Sequence, residues 1–152
     1  MTPATETVRA ARDRFLAQNG FDLSSYAAPH LPLHLGRWTL PVPNPGVLAL
    51  HDLHHVATGY ETTIMGEAEI SIFELRGGCR VPLVRLLCIS AILLGLMRDP
   101  RRMIRASRRA RHVRTLYDRS IPYETLLEMS VLELRHYLGL ACPQGNLHER
   151  SD

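Results

Sequence analysis

The sequence contains no lysine, so all 18 of its basic residues are arginine, and this usage is typical of a GC-rich bacterial genome. Cysteine is also scarce, with Cys79, Cys88 and Cys142 far apart and no pair in C-x-x-C spacing. The sequence therefore gives no indication of a disulfide framework or of a thiolate zinc site. We expect reduced core thiols in a cytoplasmic protein.

The chain also lacks the signatures of export and of membrane insertion. Its first residues have neither a basic start nor an apolar run, which argues against a signal peptide. The most apolar stretch, residues 81–97, is interrupted by Arg85 and is short for a spanning helix, which needs about 20 apolar residues. We expect a buried core helix here, with a helix that lies on or dips into a bilayer as the alternative.

The patterning predicts an all-α fold in one compact multi-helix domain spanning residues 1–152. Apolar residues recur at helical spacing over 5–19, 44–58, 62–75 and 123–138, and no segment alternates convincingly with period two. Residues 21–43 contain four prolines and predict an irregular Pro-rich N-terminal arm, in which short extended pieces are possible. We divide the chain into an N-terminal helix and arm (1–43), a core (44–140) and a tail (141–152).

The most informative feature is a cluster of metal-ligating residue types at 51–55, which reads His-Asp-Leu-His-His. His51 and His55 are four residues apart, so on a helix both rings lie on one face and can reach one metal ion, as in H-E-x-x-H metalloenzymes. Glu67, on the following helix, is placed to complete a site with two histidines and one or two carboxylates. Asp52 is either a further ligand or orients a ligand imidazole. The competing interpretation is a histidine pair that is exposed or satisfied in the core.

The spacing resembles the Coq-four family of ubiquinone (coenzyme Q) biosynthesis proteins, which carries His-Asp-x-x-His, eleven residues and Glu. The matching positions here are His51, Asp52, His55 and Glu67. The flanking pairs Gly66-Glu67 and Tyr123-Glu124, and the segment 131–135, are also similar to the family. The resemblance covers roughly residues 44–140, whereas residues 1–43 match only loosely.

The resemblance implies that His51, Asp52, His55 and Glu67 are both the metal-binding and the catalytic residues. It implies one divalent metal ion, with zinc as the first candidate and iron or magnesium as alternatives. The implied activity is the metal-dependent oxidative decarboxylation and hydroxylation of a polyprenylated aromatic quinone precursor, a prenylated hydroxybenzoate, at a membrane surface. The alternative is a non-catalytic lipid-binding scaffold that organises other quinone biosynthesis enzymes, and a homo-oligomer is possible.

A basic segment follows the apolar run. Residues 98–114 hold eight arginines and one acidic residue, and on a helix the arginines form one stripe opposite Met103, Ala106 and Ala110. Such a helix fits a solvated face, an anionic membrane surface or a phosphate-bearing ligand. Nucleic acid is disfavoured because no helix-turn-helix, zinc finger or interleaved aromatic pattern is present. Together with the resemblance, this segment predicts a cytoplasmic protein bound peripherally to the inner membrane.

Overall fold

The computed structural model describes residues 6–35, 37–44 and 46–140, so the predicted tail and Cys142 lie outside the described residues. The described chain folds into eight α-helices, one 3-10 turn and one two-stranded hairpin, which confirms the all-α class. The helices are α1 (Val8–Asn19), α2 (Ser24–Ala27), α3 (Leu48–Thr58), α4 (Ile64–Arg76), α5 (Pro82–Arg98), α6 (Pro100–Arg109), α7 (Tyr123–Glu128) and α8 (Val131–Tyr137). The 3-10 turn spans Leu116–Asp118.

The Pro-rich arm is more regular than the expected irregular coil. Strands β1 (His30–Leu35) and β2 (Trp38–Pro43) pair antiparallel as a hairpin, with His30 opposite Pro43. The arm is fastened at its base by Asn44, whose side-chain amide donates to the carbonyl oxygen of Ala28 at 3.1 Å. The hairpin corresponds to the short extended pieces that the sequence left possible in this arm. Pairing between the strands supplies the backbone hydrogen bonds that proline-containing strands can still make.

Helix ends follow local capping chemistry, and this moves several predicted boundaries. α1 begins at Val8 because the side chain of Thr7 accepts a hydrogen bond from the Ala10 amide. The expected single helix over 123–138 is divided at Ser130, which forms a capping box with Glu133 and so begins α8. Likewise, Asp99 caps α6, so the basic segment does not form one helix from 98 to 114. α3 begins four residues later than the expected start at residue 44.

The core has two parts, which meet at α4. The larger part joins α1, α3, α4, α7 and α8. It buries four leucines near the end of the described chain, Leu126, Leu127, Leu134 and Leu138. The smaller part joins α4 to α6 through Ala68, Ile72, Met103, Ala106 and Ala110. α4 is therefore buried on most of its circumference: Glu69 and Glu74 are buried carboxylates, whereas the side chain of Glu67 is 38% exposed.

α5 is not the buried core helix that its composition suggests. Only Cys88 and Gly95 of this helix are buried, whereas Leu86, Leu93 and Met97 are 60%, 58% and 83% exposed. Gly95 allows α5 to pack closely against Ala68 of α4 and Met103 of α6, because a side chain at position 95 would collide with both residues. The core prediction fails because α5 packs on α4 and α6 with one side only, and neither part of the described core covers its other side. Among the described residues, no helix has the length and apolarity required to cross a bilayer.

Candidate metal centre

α3 brings the imidazole rings of His51 and His55 together. Their Nε2 atoms are 3.2 Å apart, and the rings meet edge to face. His55 is buried and stacks on Phe15 of α1, whereas the side chain of His51 is 25% exposed. The helix ends at Gly59, which adopts a left-handed conformation with φ 74°. The two rings therefore point into the same space, as their spacing predicts.

Each ring uses its Nδ1 atom for a hydrogen bond that leads out of the shared space. His51 Nδ1 lies 2.8 Å from Oε1 of Glu74, and His55 Nδ1 lies 2.9 Å from the backbone carbonyl oxygen of Tyr60. A carbonyl and an ionised carboxylate can only accept, so both Nδ1 atoms carry a hydrogen. In the neutral rings both Nε2 atoms then carry lone pairs, and these lone pairs face each other.

Glu67 adds a third electron-pair donor to the same space. Its Oε1 lies 3.3 Å from Nε2 of His55, and its Oε2 lies 3.4 Å from Nε2 of His51. The first turn of α4 holds this carboxylate in place, because Thr63 caps the helix and Gly66 lies directly on the backbone of Glu61. A Cβ atom at position 66 would lie 2.0 Å from the carbonyl oxygen of Glu61, so the close approach requires glycine.

The distances within this group bring three ligand types close enough to share one metal ion. The two Nε2 atoms are 3.2 Å apart, and each lies 3.3–3.4 Å from a different carboxylate oxygen of Glu67. One ligand atom from each of the three residues lies within 4.8 Å of the others. His51, His55 and Glu67 could therefore hold a metal ion after small side-chain adjustments, and two imidazoles with one carboxylate suit zinc or iron(II).

The electrostatics of the metal-free group show that it attracts a cation. Burial alone would lower the pKa of His51, but the carboxylates of Glu74 and Glu67 outweigh burial and hold that pKa well above 6.5. Burial would likewise raise the pKa of Glu67, yet its contacts with His51 and His55 lower that pKa to about 2. A proton on His51 relieves the repulsion between the facing lone pairs when no metal is bound, and a metal ion would take its place.

Asp52 does not join the three converging residues. It is buried, and its Oδ2 accepts a hydrogen bond of 2.6 Å from the hydroxyl group of Tyr26 in α2. Burial raises the pKa of Asp52, whereas the Tyr26 hydrogen bond and the nearby His51 act in the opposite direction. The carboxylate thus ties the arm to the middle of α3. In the described structure it supports the helix that carries the imidazoles, and the ligand group consists of the other three predicted residues.

Glu74 is a functional candidate that lies outside the four residues predicted from the sequence. It is 1% exposed, and its Oε1 accepts hydrogen bonds from His51, His54 and the hydroxyl group of Tyr117. His54 is fully buried and forms a hydrogen bond with this carboxylate. The available signal was the spacing of seven residues between Glu67 and Glu74, which places both on one face of α4.

Two cavities adjoin the group. One, of about 480 Å³, lies between α3, α4 and α5, with His51, Glu67 and Glu74 among its polar lining residues and mainly aliphatic side chains elsewhere. α5 supplies Val84, Leu87, Cys88 and Ala91, which recur at helical spacing and form one wall. The other cavity, of about 390 Å³, reaches His55 from the side of α1 and has a more polar lining. The metal-binding group therefore adjoins an apolar cavity large enough for part of a lipid.

In comparisons with known proteins, no family model and no curated protein matches this chain. The similarity to the Coq-four family consequently remains a resemblance of motif and spacing, and the geometry of the site has to support any function on its own.

We predict that the chain binds one divalent metal ion and that the double variant His51→Ala/His55→Ala binds none, because Glu67 alone cannot hold the ion. Metal content after dialysis, measured by mass spectrometry of the elements, checks this. His112→Ala removes an exposed histidine outside the group and should leave the stoichiometry unchanged. Equal metal content in the double variant and the wild type would contradict the assignment.

We also predict that metal affinity decreases as the pH falls, with the decrease beginning above the ordinary histidine pKa of about 6.5. The sign follows from the raised pKa of His51, because the ion must displace a proton that His51 holds at higher pH than a free imidazole does. Below that pKa the affinity should fall roughly tenfold per pH unit for each proton displaced. Titrations with Zn²⁺ at about pH 6, 7 and 8 measure this, and a constant affinity over that range would refute it.

Proposed function

We propose that this chain is a metal-dependent enzyme of quinone biosynthesis, which acts on the aromatic ring of a polyprenylated precursor. The observation that carries the proposal is the position of the His51–His55–Glu67 group beside an aliphatic cavity. A polar reacting ring on a long isoprenoid tail requires this combination, because the tail needs an apolar cavity and the ring a charged site. The identity of the substrate comes from the Coq-four resemblance.

In this proposal the ligands are His51, His55 and Glu67, and zinc is the first candidate metal, with iron(II) or magnesium as alternatives. Two imidazoles and one carboxylate leave at least one coordination position open, which is a property of catalytic rather than structural sites. When bound, zinc would polarise the ring carboxylate or activate water, whereas iron(II) could also activate oxygen. The resemblance implies oxidative decarboxylation, in which the bond from the ring to its carboxyl group breaks, CO₂ leaves and a hydroxyl group takes that position. Dioxygen would be the two-electron oxidant, so that the precursor, water and O₂ would give the hydroxylated product, CO₂ and H₂O₂.

The surrounding residues each have a part in this scheme. His51 lines the aliphatic cavity, so the open side of the group faces the place where a ring would lie. The wall that α5 contributes excludes water from the tail and lowers the local polarity. Asp52 holds α3 through Tyr26. We therefore assign Asp52 a supporting part and do not retain it as a metal ligand.

A membrane surface is the proposed source of the lipid. α5 carries two apolar stripes, one lining the cavity and one facing outward through Leu86, Ile89, Leu93 and Met97. An exposed stripe of this kind is typical of a helix that lies in the interface of a bilayer. The adjacent α6 adds exposed arginines, which attract anionic lipids. The same helix would thus contact the bilayer on one side and the tail of the substrate on the other.

The second candidate is a non-catalytic scaffold that holds a quinone precursor for other biosynthetic enzymes. The exposed stripe of α5 favours it to some degree, because an apolar face of this size also suits a protein partner or a second copy of the chain. The metal would then be structural. Turnover distinguishes the two candidates, since a scaffold retains the precursor unchanged.

We predict that the metal-loaded protein converts a prenylated 4-hydroxybenzoate into a product that has lost CO₂ and gained a hydroxyl group, whereas His51→Ala/His55→Ala gives none. Mass spectrometry of lipid extracts, after incubation with the substrate in vesicles under air, measures the conversion. His112→Ala should retain the wild-type rate. Metal-loaded protein that binds the precursor but leaves its mass unchanged would favour the scaffold.

We predict that the protein floats with anionic vesicles and that the double variant Leu86→Glu/Leu93→Glu does not, because two charges would have to enter the apolar part of the interface. The arginines should make binding salt-sensitive, at about 1 kcal/mol for each arginine near the surface. Leu132→Glu, at an exposed leucine on α8, is the matched control and should float like the wild type. Wild-type protein that does not bind anionic vesicles at low salt would contradict the proposed association with a membrane surface.

A further inference from the structure

Glu74 is a buried carboxylate that receives an unusual number of hydrogen bonds. Its Oε1 accepts from His51 Nδ1 at 2.8 Å, from His54 Nδ1 at 2.9 Å and from the Tyr117 hydroxyl group at 2.6 Å. Its Oε2 accepts from the thiol group of Cys88 at 3.4 Å. Burying an ionised carboxylate away from water raises the free energy of the folded state unless hydrogen-bond donors surround it. Here four side chains from three separate parts of the chain donate to Glu74.

His54 fixes the position of this carboxylate. Its Nε2 accepts a hydrogen bond of 3.0 Å from the backbone amide of Leu116, so in the neutral ring the hydrogen must be on Nδ1. That hydrogen is donated to Glu74. The backbone amide of Leu116 thus fixes His54 as a hydrogen-bond donor to Glu74, the same carboxylate that accepts from His51.

The two candidate ligand imidazoles consequently differ. His51 donates its Nδ1 hydrogen to a carboxylate, whereas His55 donates its Nδ1 hydrogen to a neutral backbone carbonyl. A carboxylate behind a ligating histidine fixes the tautomer and the ring orientation, and it increases the electron density on the opposite nitrogen. Of the two imidazoles, His51 should therefore be the stronger electron-pair donor to a metal ion. His51 is also the histidine that lines the aliphatic cavity.

The geometry points to Glu74 as the positioning residue of the metal site: it holds the ring of His51 with its proton on Nδ1, so that Nε2 faces Glu67 and His55 as a ready electron-pair donor. This inference rests on the proposed metal site and adds to it a residue outside the His-Asp-x-x-His and Glu67 motif. In this scheme Glu74 does not bind the metal itself and acts on it through His51. His54 and Tyr117 hold the carboxylate of Glu74 in place through hydrogen bonds.

A matched pair of glutamine variants tests the inference. Glu74→Gln keeps the size of the side chain but removes the charge behind His51. Glu69→Gln, on the same helix and also buried, removes a carboxylate that instead accepts a hydrogen bond of 2.7 Å from Arg102. We expect Zn²⁺ affinity, measured by competition with a chromophoric chelator, to fall about 10- to 100-fold in Glu74→Gln. In Glu69→Gln it should stay close to that of the wild type.

Each outcome of the titration has a distinct meaning. Wild-type affinity in a folded Glu74→Gln variant would overturn the inference and leave the proposed metal site intact. Equal losses in both variants would also overturn it, because a general effect of losing a buried charge would then explain them. A wild-type protein that binds no Zn²⁺ would instead refute the proposed metal site itself.

A second measurement does not depend on the folding of any variant. In wild-type protein labelled with ¹⁵N at histidine, long-range proton–nitrogen correlation spectra report which ring nitrogen carries the hydrogen. We expect His51 to carry a hydrogen on Nδ1 both before and after Zn²⁺ is added, and Zn²⁺ should displace the hydrogen from Nε2 and shift the Nε2 signal. A His51 ring with its hydrogen on Nε2 in the Zn²⁺-bound protein would overturn the inference.

Discussion

The repulsion between three electron-pair donors that face one another determines how this site behaves. The Nδ1 hydrogens of His51 and His55 are both committed to acceptors outside the group, so both Nε2 atoms face inward, 3.2 Å apart, beside the carboxylate of Glu67. Only a positive charge can make this arrangement favourable. A proton on His51 supplies that charge in the metal-free protein, and a divalent ion held by all three residues would do so more completely.

The rest of the fold serves to hold these donors in place and to give them an apolar neighbour. α4 is packed between the other helices, so the buried carboxylate of Glu74 remains directed at α3. The partly exposed carboxylate of Glu67 lies against the imidazoles of His51 and His55. α5 covers the remaining side with aliphatic residues and is left with an outer face that neither core cluster covers. The position of α5 that closes the cavity therefore also leaves an apolar surface exposed. For this reason we propose both a lipid substrate and a membrane surface.

The sequence predicted the local parts of this structure and missed the parts that depend on distant partners. Helical spacing and the capping position of Gly59 were enough to place His51 and His55 on one helix, and Glu67 on the next. Glu74 could not be ranked above an ordinary surface carboxylate, because Tyr117, one of its donors, is 43 residues away in a 3-10 turn. The binding of Asp52 to Tyr26 depends on the arm, whose path proline content alone does not define. Composition likewise indicated that α5 is apolar but not which of its faces would remain uncovered.

Diffraction from crystals grown with Zn²⁺, recorded on both sides of the zinc absorption edge, shows whether His51, His55 and Glu67 together hold one metal ion. We expect one anomalous peak per chain at about 2.0–2.2 Å from Nε2 of both histidines and from a carboxylate oxygen of Glu67. The absence of a peak between these residues, with His51 and His55 still in contact through a proton, would contradict this assignment.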